Sequence, residues 1–178
     1  MTGRAPGIEP RIRDAVAADA RAIAEIRVAS WRAAYAGIVP ASILDGLHVE
    51  RTDAWMSARI DDPGTRGTLV IEGDDGRPAG YALIAPTTDA DAAGLGEVEA
   101  IYLAPDARGR GLGRPLLDAA ADRLADGGFR VAVLWVLTAN LPARRFYERA
   151  GWAPDEAARM LDFDGTPIEE IRYRRSTG

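Results

Sequence analysis

Glu97-Val98-Glu99-Ala100-Ile101-Tyr102-Leu103-Ala104-Pro105, with Arg108-Gly109-Arg110-Gly111-Leu112-Gly113 three residues beyond, decides how this chain is read. Val98 to Leu103 has the apolar and β-rich character of a strand, and Pro105-Asp106 ends it. The closely spaced glycines that follow let backbone amides crowd round an anion at the start of a helix. The same spacing also fits a tight turn with two solvent-facing arginines, so the surrounding sequence has to decide. A dinucleotide fingerprint would follow an early strand and carry an acidic residue about 20 residues on. A phosphate loop needs Gly-Lys-Ser/Thr. Neither pattern is present.

Working outward, Leu112, Leu116, Leu117, Ala120 and Leu124 repeat at helical spacing up to Gly127-Gly128, and the unbroken apolar run Val131 to Leu137 reads as a buried strand. Strand, loop, helix and strand predict a right-handed parallel crossover. Upstream, Thr68 to Glu72 and Pro78 to Ile84 are strands joined by a Gly73-Asp74-Asp75-Gly76 hairpin turn. Three helices come before them. The first follows Asp19, a candidate cap, and carries Ala22, Ile23, Ile26, Ala29 and Ala33; the second spans Pro40 to Leu47; the third spans Val49 to Ile60 and ends at the Asp61 to Gly64 turn. Arg11 to Val16 is the expected first strand. A last helix from Pro142 to Ala150 leads to two strands, near Arg159 to Phe163 and Glu169 to Arg174, joined at Asp164-Gly165. The expectation is an α/β (α+β) protein with a mixed sheet of six to seven strands and four to five helices. A Gly/Pro-rich flexible tail is expected over residues 1–10, ahead of one domain over 11–178.

Composition removes several function classes. The 178 residues contain no cysteine and no lysine, all 22 basic residues being arginine. Thiolate metal clusters, cysteine nucleophiles, Schiff bases and phosphate-loop lysines therefore drop out. The only histidine, His48, cannot build a multi-histidine metal site and reads as a partly exposed helix residue. A net charge of −5 with mixed signs argues against a nucleic-acid or anionic-membrane partner. No apolar run is long enough to span a bilayer, and MTGRAPGIEPR lacks the apolar segment of a signal peptide, so a cytoplasmic protein is expected. An exposed sheet edge leaves a homodimer open.

Taken together, the strand and its RGRGLG loop resemble the Arg/Gln-x-x-Gly-x-Gly/Ala signature of the GCN5-related N-acetyltransferase (GNAT) superfamily. Downstream, Asn140-Leu141-Pro142-Ala143-Arg144-Arg145-Phe146-Tyr147-Glu148-Arg149-Ala150-Gly151-Trp152 resembles the superfamily's Asn, Ala, Tyr and Gly-aromatic segment at the expected distance. The likeness spans about residues 11–175 and is close from Glu97 to Trp152. Ser30 to Gly37 is also similar to the first helix of many bacterial members of unassigned substrate.

The resemblance implies a sheet splayed between its fourth and fifth strands, acetyl-CoA as the acyl donor, no metal, and direct transfer to a primary amine of a small molecule or peptide. It assigns the coenzyme pyrophosphate to the amides of Arg108, Gly109, Arg110, Gly111, Leu112, Gly113 and Arg114, with the three arginines adding mobile charge. Peptide groups of Ile101 and Leu103 are expected to pair with the pantetheine arm, with Ile101 N–H toward the thioester oxygen, and Tyr102 between them is counted with the coenzyme site. Asn140, Ala143, Phe146 and Tyr147 line the other wall, Asn140 also serving as a helix cap, and Tyr147 is the acid for the departing thiolate. Glu97 and Glu99, read as sharing a face with Ile101 and Leu103, are alternative bases. Trp31 and Tyr35, four apart on one helix face, either line the acceptor pocket or pack on the sheet. A non-catalytic acyl-CoA binding domain, or a transferase with another acyl donor, are the competing functions.

Overall fold

The computed structural model describes residues 10–61, 63–64 and 66–177. All but Pro10 of the tail expected over 1–10 lies outside the described residues, as does Asp62 of the expected turn after the third helix. Seven strands are described: β1 (Ile12–Asp14), β2 (Gly67–Glu72), β3 (Pro78–Pro86), β4 (Gly96–Leu103), β5 (Val131–Leu137), β6 (Ala153–Phe163) and β7 (Thr166–Ser176). The helices are α1 (Ala20–Ala34), α2 (Ala41–Asp45), α3 (Val49–Asp61), α4 (Gly113–Asp126) and α5 (Leu141–Arg149). One sheet runs β1-β2-β3-β4-β5-β7-β6, with β4 and β5 its one parallel pair among these strands.

Strand alternation builds the two sides of the core. Leu69, Ile71, Ala82, Ile84 and Val98 pack with Leu116, Leu117, Ala120 and Leu124 of α4 on one face. Val70, Tyr81 and Leu83 pack with Ile23 and Ile26 of α1 and Met56 of α3 on the other. The crossover from β4 through α4 to β5 is the expected parallel unit, because a strand returning in the same direction needs a helix to carry the chain back.

Four local expectations are corrected. The first strand is shorter than Arg11 to Val16, because the chain turns into a short 3-10 segment at Ala17–Asp19. The last two strands are longer than expected, β6 being interrupted by an irregularity between Pro154 and Ala158, where Glu156 has a φ of 72°. Ala33 is exposed; the buried stripe of α1 passes instead through Ala20, Ile23, Ala24 and Ile26. Asp19 does not cap α1. Its carboxylate turns back to accept from Val16 N at 2.8 Å and from both terminal nitrogens of Arg13 at 2.6 and 3.0 Å.

That last arrangement has a pH signature. The Arg13 guanidinium holds the Asp19 carboxyl below the ordinary 3.8, and the Val16 amide helps. A depressed folded-state pKa gives stability that is complete above the unfolded value and disappears as pH falls through the folded one. Asp19→Asn is therefore expected to lower the melting temperature at pH 7, with the gap to the native chain closing below about pH 4. Thermal melts across pH 2.5 to 7 check this; a gap that stays constant would show that charge at Asp19 is not what matters.

Candidate active site

The site originates where the sheet comes apart. β4 and β5 pair only at Gly96↔Ala132 and Glu97↔Val133, and beyond those residues the two strands diverge. On its other side β4 stays paired with β3 up to Gly80↔Leu103, and Ala104 N continues the ladder to Ala79 O at 2.8 Å. In an antiparallel ladder, alternate residues turn their peptide groups toward the partner. With Ala104, Tyr102 and Ala100 turned to β3, the peptide groups of Ile101 and Leu103 face the gap left by β5. Ser30 Oγ already donates to the Leu103 carbonyl at 2.9 Å, which leaves that oxygen its second lone pair.

A bulge resets the side chains. Leu83 pairs with Ala100 but Ile84 pairs with Val98, so Glu99 is one extra residue in β4. The expectation that Glu97 and Glu99 share a face with Ile101 and Leu103 is therefore wrong. Val98, Ile101 and Leu103 pack on the α4 side, whereas Ala100 and Tyr102 pack on the α1 side, and Glu97 and Glu99 line a pocket with those last two. Period-2 counting fails here because the inserted residue flips everything after it.

The gap opens into a cavity of about 460 Å³ walled by β4 from Val98 to Leu103, by Trp135 and Val136, and by Asn140, Ala143, Phe146 and Tyr147. Arg108, Gly109 and Gly113 close its mouth. Gly109 and Gly111 have φ of 74° and 83°, values that favour glycine. A Cβ on Gly113 would stand 3.3 Å from the Phe146 ring, so a larger residue would narrow the opening. Among the described residues no side chain caps α4, and outside regular elements no amide from Arg108 to Arg114 donates to a main-chain carbonyl. This is a cradle suited to a diphosphate, since helix-start amides and the helix dipole both favour anions. The three arginines differ in position. Arg108 reaches the cavity rim; Arg110 pairs with Asp74, and Arg114 pairs with Asp118 at 2.5 Å.

On the opposite wall, Asn140 caps α5 by accepting from Ala143 N at 3.3 Å while also lining the cavity. Tyr147 is half-buried against Phe146 and Tyr173, with ring centroids 5.3 and 6.2 Å away. Burial, then the neighbouring Tyr102, push its phenol above the ordinary 10.0. Such a group keeps its proton at neutral pH.

A second pocket, about 180 Å³, adjoins the first on the α1 side of β4, sharing Tyr35, Glu99, Ala100, Tyr102 and Trp135 with it. Glu97 lines it, and burial raises the Glu97 carboxyl above 4.5; Asp89 and Glu99 add to the rise, whereas the Thr87 hydroxyl and Arg159 oppose it. Glu99 is bound instead to the buried Arg59, whose Nη2 lies 2.5 Å from its Oε2. Trp31 and Tyr35 both line this pocket, their rings edge to face at 5.0 Å, and the Tyr35 hydroxyl meets that of Tyr102 at 3.0 Å. The two residues thus line this pocket and also pack against Val39, Leu44, Leu137 and Ile168.

Sequence reasoning missed Arg27, Arg59 and Trp135. Trp135 sits in the all-apolar run Val131 to Leu137 and reads as core, yet its indole donates to Asp89 at 2.9 Å and its ring carries Arg159 at 4.0 Å. Nothing in the local pattern separates such a residue from a buried one.

The acetyltransferase (GNAT) family model matches residues 23–152. An uncharacterised N-acetyltransferase of Bacillus subtilis, YuaI, is 30% identical over 90% of this chain and 89% of its own length. Among solved structures, the PaiA N-acetyltransferase of Thermoplasma acidophilum in complex with coenzyme A is similar over 95% of this chain and 99% of that one, at a TM-score of 0.73 and 19% identity. A phosphinothricin acetyltransferase of Sinorhizobium meliloti in complex with acetyl-CoA is similar over 96% and 90%, at 0.70 and 23%. These two likenesses concern the fold. The chain belongs to the GNAT family, and as a member it is an N-acetyltransferase that moves an acetyl group from acetyl-CoA to an amine.

Proposed function

We infer that acetyl-CoA lies in the gap between β4 and β5, its diphosphate on the Arg108 to Arg114 loop, and that the amine approaches from the pocket on the α1 side. The observation that carries this is the parting of β4 from β5 beyond Glu97 and Val133, with Tyr147 on one wall and the freed Ile101 amide on the other. Acetyl-CoA, when bound, supplies an electrophilic thioester carbon and a thiol leaving group.

An alkylammonium with a pKa near 10.4 is almost wholly protonated at pH 7 and must lose a proton before it can attack. Glu97 Oε takes that proton: it is lodged in the acceptor pocket, among the described residues it forms no ion pair, and its raised pKa brings it closer to neutrality. Glu99, held by Arg59, orients the ammonium by charge. Ile101 N–H faces the gap, where negative charge would grow on an oxygen, and Tyr147 Oη supplies the proton that the leaving sulfur takes up. The new N–C bond replaces the C–S bond; of the two protons the ammonium gives up, one passes through Glu97 to solvent, and the other, shed from nitrogen after attack, offsets the one that Tyr147 gives to sulfur and regains from solvent. Cysteine-free composition supports a cytoplasmic setting. The exposed edge strand β6, carrying Met160 at 59% exposure, supports a homodimer along that edge.

Calorimetry on the native chain with acetyl-CoA and with desulfo-coenzyme A, followed by release of free thiol across an amine panel, tests the reading. Coenzyme binding with amine-dependent thiol release is expected; coenzyme binding with no turnover on any amine would favour the non-catalytic alternative instead.

A further inference from the structure

The acceptor pocket has an end that the transfer chemistry leaves unused. Arg27 of α1 lines it, and Arg27 is also the wall it shares with an outer cleft of about 330 Å³ between α1 and the start of α3. Among the described residues, that cleft is lined by Arg51 and His48 and by no carboxylate. Arg159, the other guanidinium lining the acceptor pocket, is neutralised by Glu170 and Asp89, and Arg59 pairs with Glu99 of the pocket wall. Arg27, among the described residues, forms no ion pair; it stacks on Trp31 and Trp55, 5.2 and 5.5 Å from the ring centroids, and reaches the Tyr81 hydroxyl only at 3.5 Å. A second donor stands beside it. The Trp31 indole N–H is buried, leans toward the Tyr102 hydroxyl and completes no hydrogen bond.

A half-buried guanidinium without a counter-charge and a buried N–H without an acceptor both call for an anionic oxygen. The same pocket is lined by Glu97, which among the described residues forms no ion pair and calls for a cation. The volume of about 180 Å³ falls below the roughly 300–1,000 Å³ of sites for drug-sized ligands, so the buried part of the acceptor is small. We propose that the acceptor is an amino carboxylate of amino-acid size, its carboxylate held by Arg27 and the Trp31 indole while its amine faces Glu97 and the coenzyme gap.

This rests on the reading of the site given above, and the experiment separates the two. Purified native chain is offered L-amino acids, each matched with its primary amide and its decarboxylated amine, with release of coenzyme A thiol as the signal. The preferred carboxylated acceptor should exceed its matched amide in kcat/KM by about 10- to 100-fold, the worth of a charge-assisted hydrogen bond, with most of the difference in KM. Arg27→Gln should abolish that ratio by raising KM for the carboxylated acceptor alone, KM for acetyl-CoA staying unchanged, and Arg27→Lys should restore part of it. A ratio near one in the native chain, or an Arg27→Gln loss that falls equally on carboxylated and neutral acceptors, overturns the proposal. In either case neutral-amine turnover leaves the transferase reading standing. The native-chain ratio needs no variant to fold.

Discussion

Tyr147→Phe should lower kcat by about 10²- to 10⁴-fold while leaving the fold and coenzyme affinity intact. The ring itself is structural, packed against Phe146 and Tyr173, and phenylalanine keeps that packing. The hydroxyl is different: it faces the cavity and has no protein hydrogen-bond partner among the described residues. Its loss therefore removes only what it does to a bound group. Since burial raises its pKa, the native enzyme should hold its rate on the alkaline side, with no loss from Tyr147 ionisation at or below the ordinary 10.0. Steady-state rates from pH 6 to 10, with a thermal melt and coenzyme calorimetry on the variant, check all of this. A variant that turns over like the native chain would remove Tyr147 from the chemistry and leave some other proton source to be found.

Much of this site was legible in sequence because its parts are backbone devices that need particular residues. Gly109 and Gly111 stand at positive φ, Pro105 ends a strand, Pro142 opens a helix capped by Asn140, and each of these leaves a mark in composition. Reading strand, glycine loop, helix and apolar strand in order yields the parallel crossover without any coordinates.

What escaped is what depends on pairing across strands. The bulge at Glu99 leaves no local signal, since Val98-Glu99-Ala100 alternates as well as any strand; only the shift from Leu83↔Ala100 to Ile84↔Val98 reveals it. The consequence is large, because the bulge carries both carboxylates to the α1 face. Arg27 and Arg59 escaped for a related reason. An arginine on an amphipathic helix has the same sequence context whether it points to water, is buried against a glutamate or enters a pocket.

The bulge gives Glu97 opposite effects on activity and stability. Folding places this carboxylate where burial raises its pKa, so the folded state binds its proton more tightly than the unfolded chain does. For a group shifted this way, the stabilising contribution is complete below the unfolded value near 4.5 and is lost as pH rises through the folded value. At pH 7 the ionised Glu97 therefore costs stability, and Glu97→Gln, which cannot ionise, should melt higher than the native chain. That advantage should fade as pH drops toward about 4.5, where the native carboxyl also becomes neutral. Activity should move the other way. If Glu97 takes the proton from the amine, kcat/KM falls by about 10²- to 10⁴-fold in Glu97→Gln and the acidic limb of the native pH profile, which rises as Glu97 ionises, disappears. Glu99→Gln behaves differently, because it strips the buried Arg59 of its counter-charge; it should melt lower while keeping the acidic limb. Melts and pH-rate profiles of the two variants side by side separate a base from a clamp. A Glu97→Gln protein that melts no higher than the native chain and retains that limb would move proton removal away from this residue.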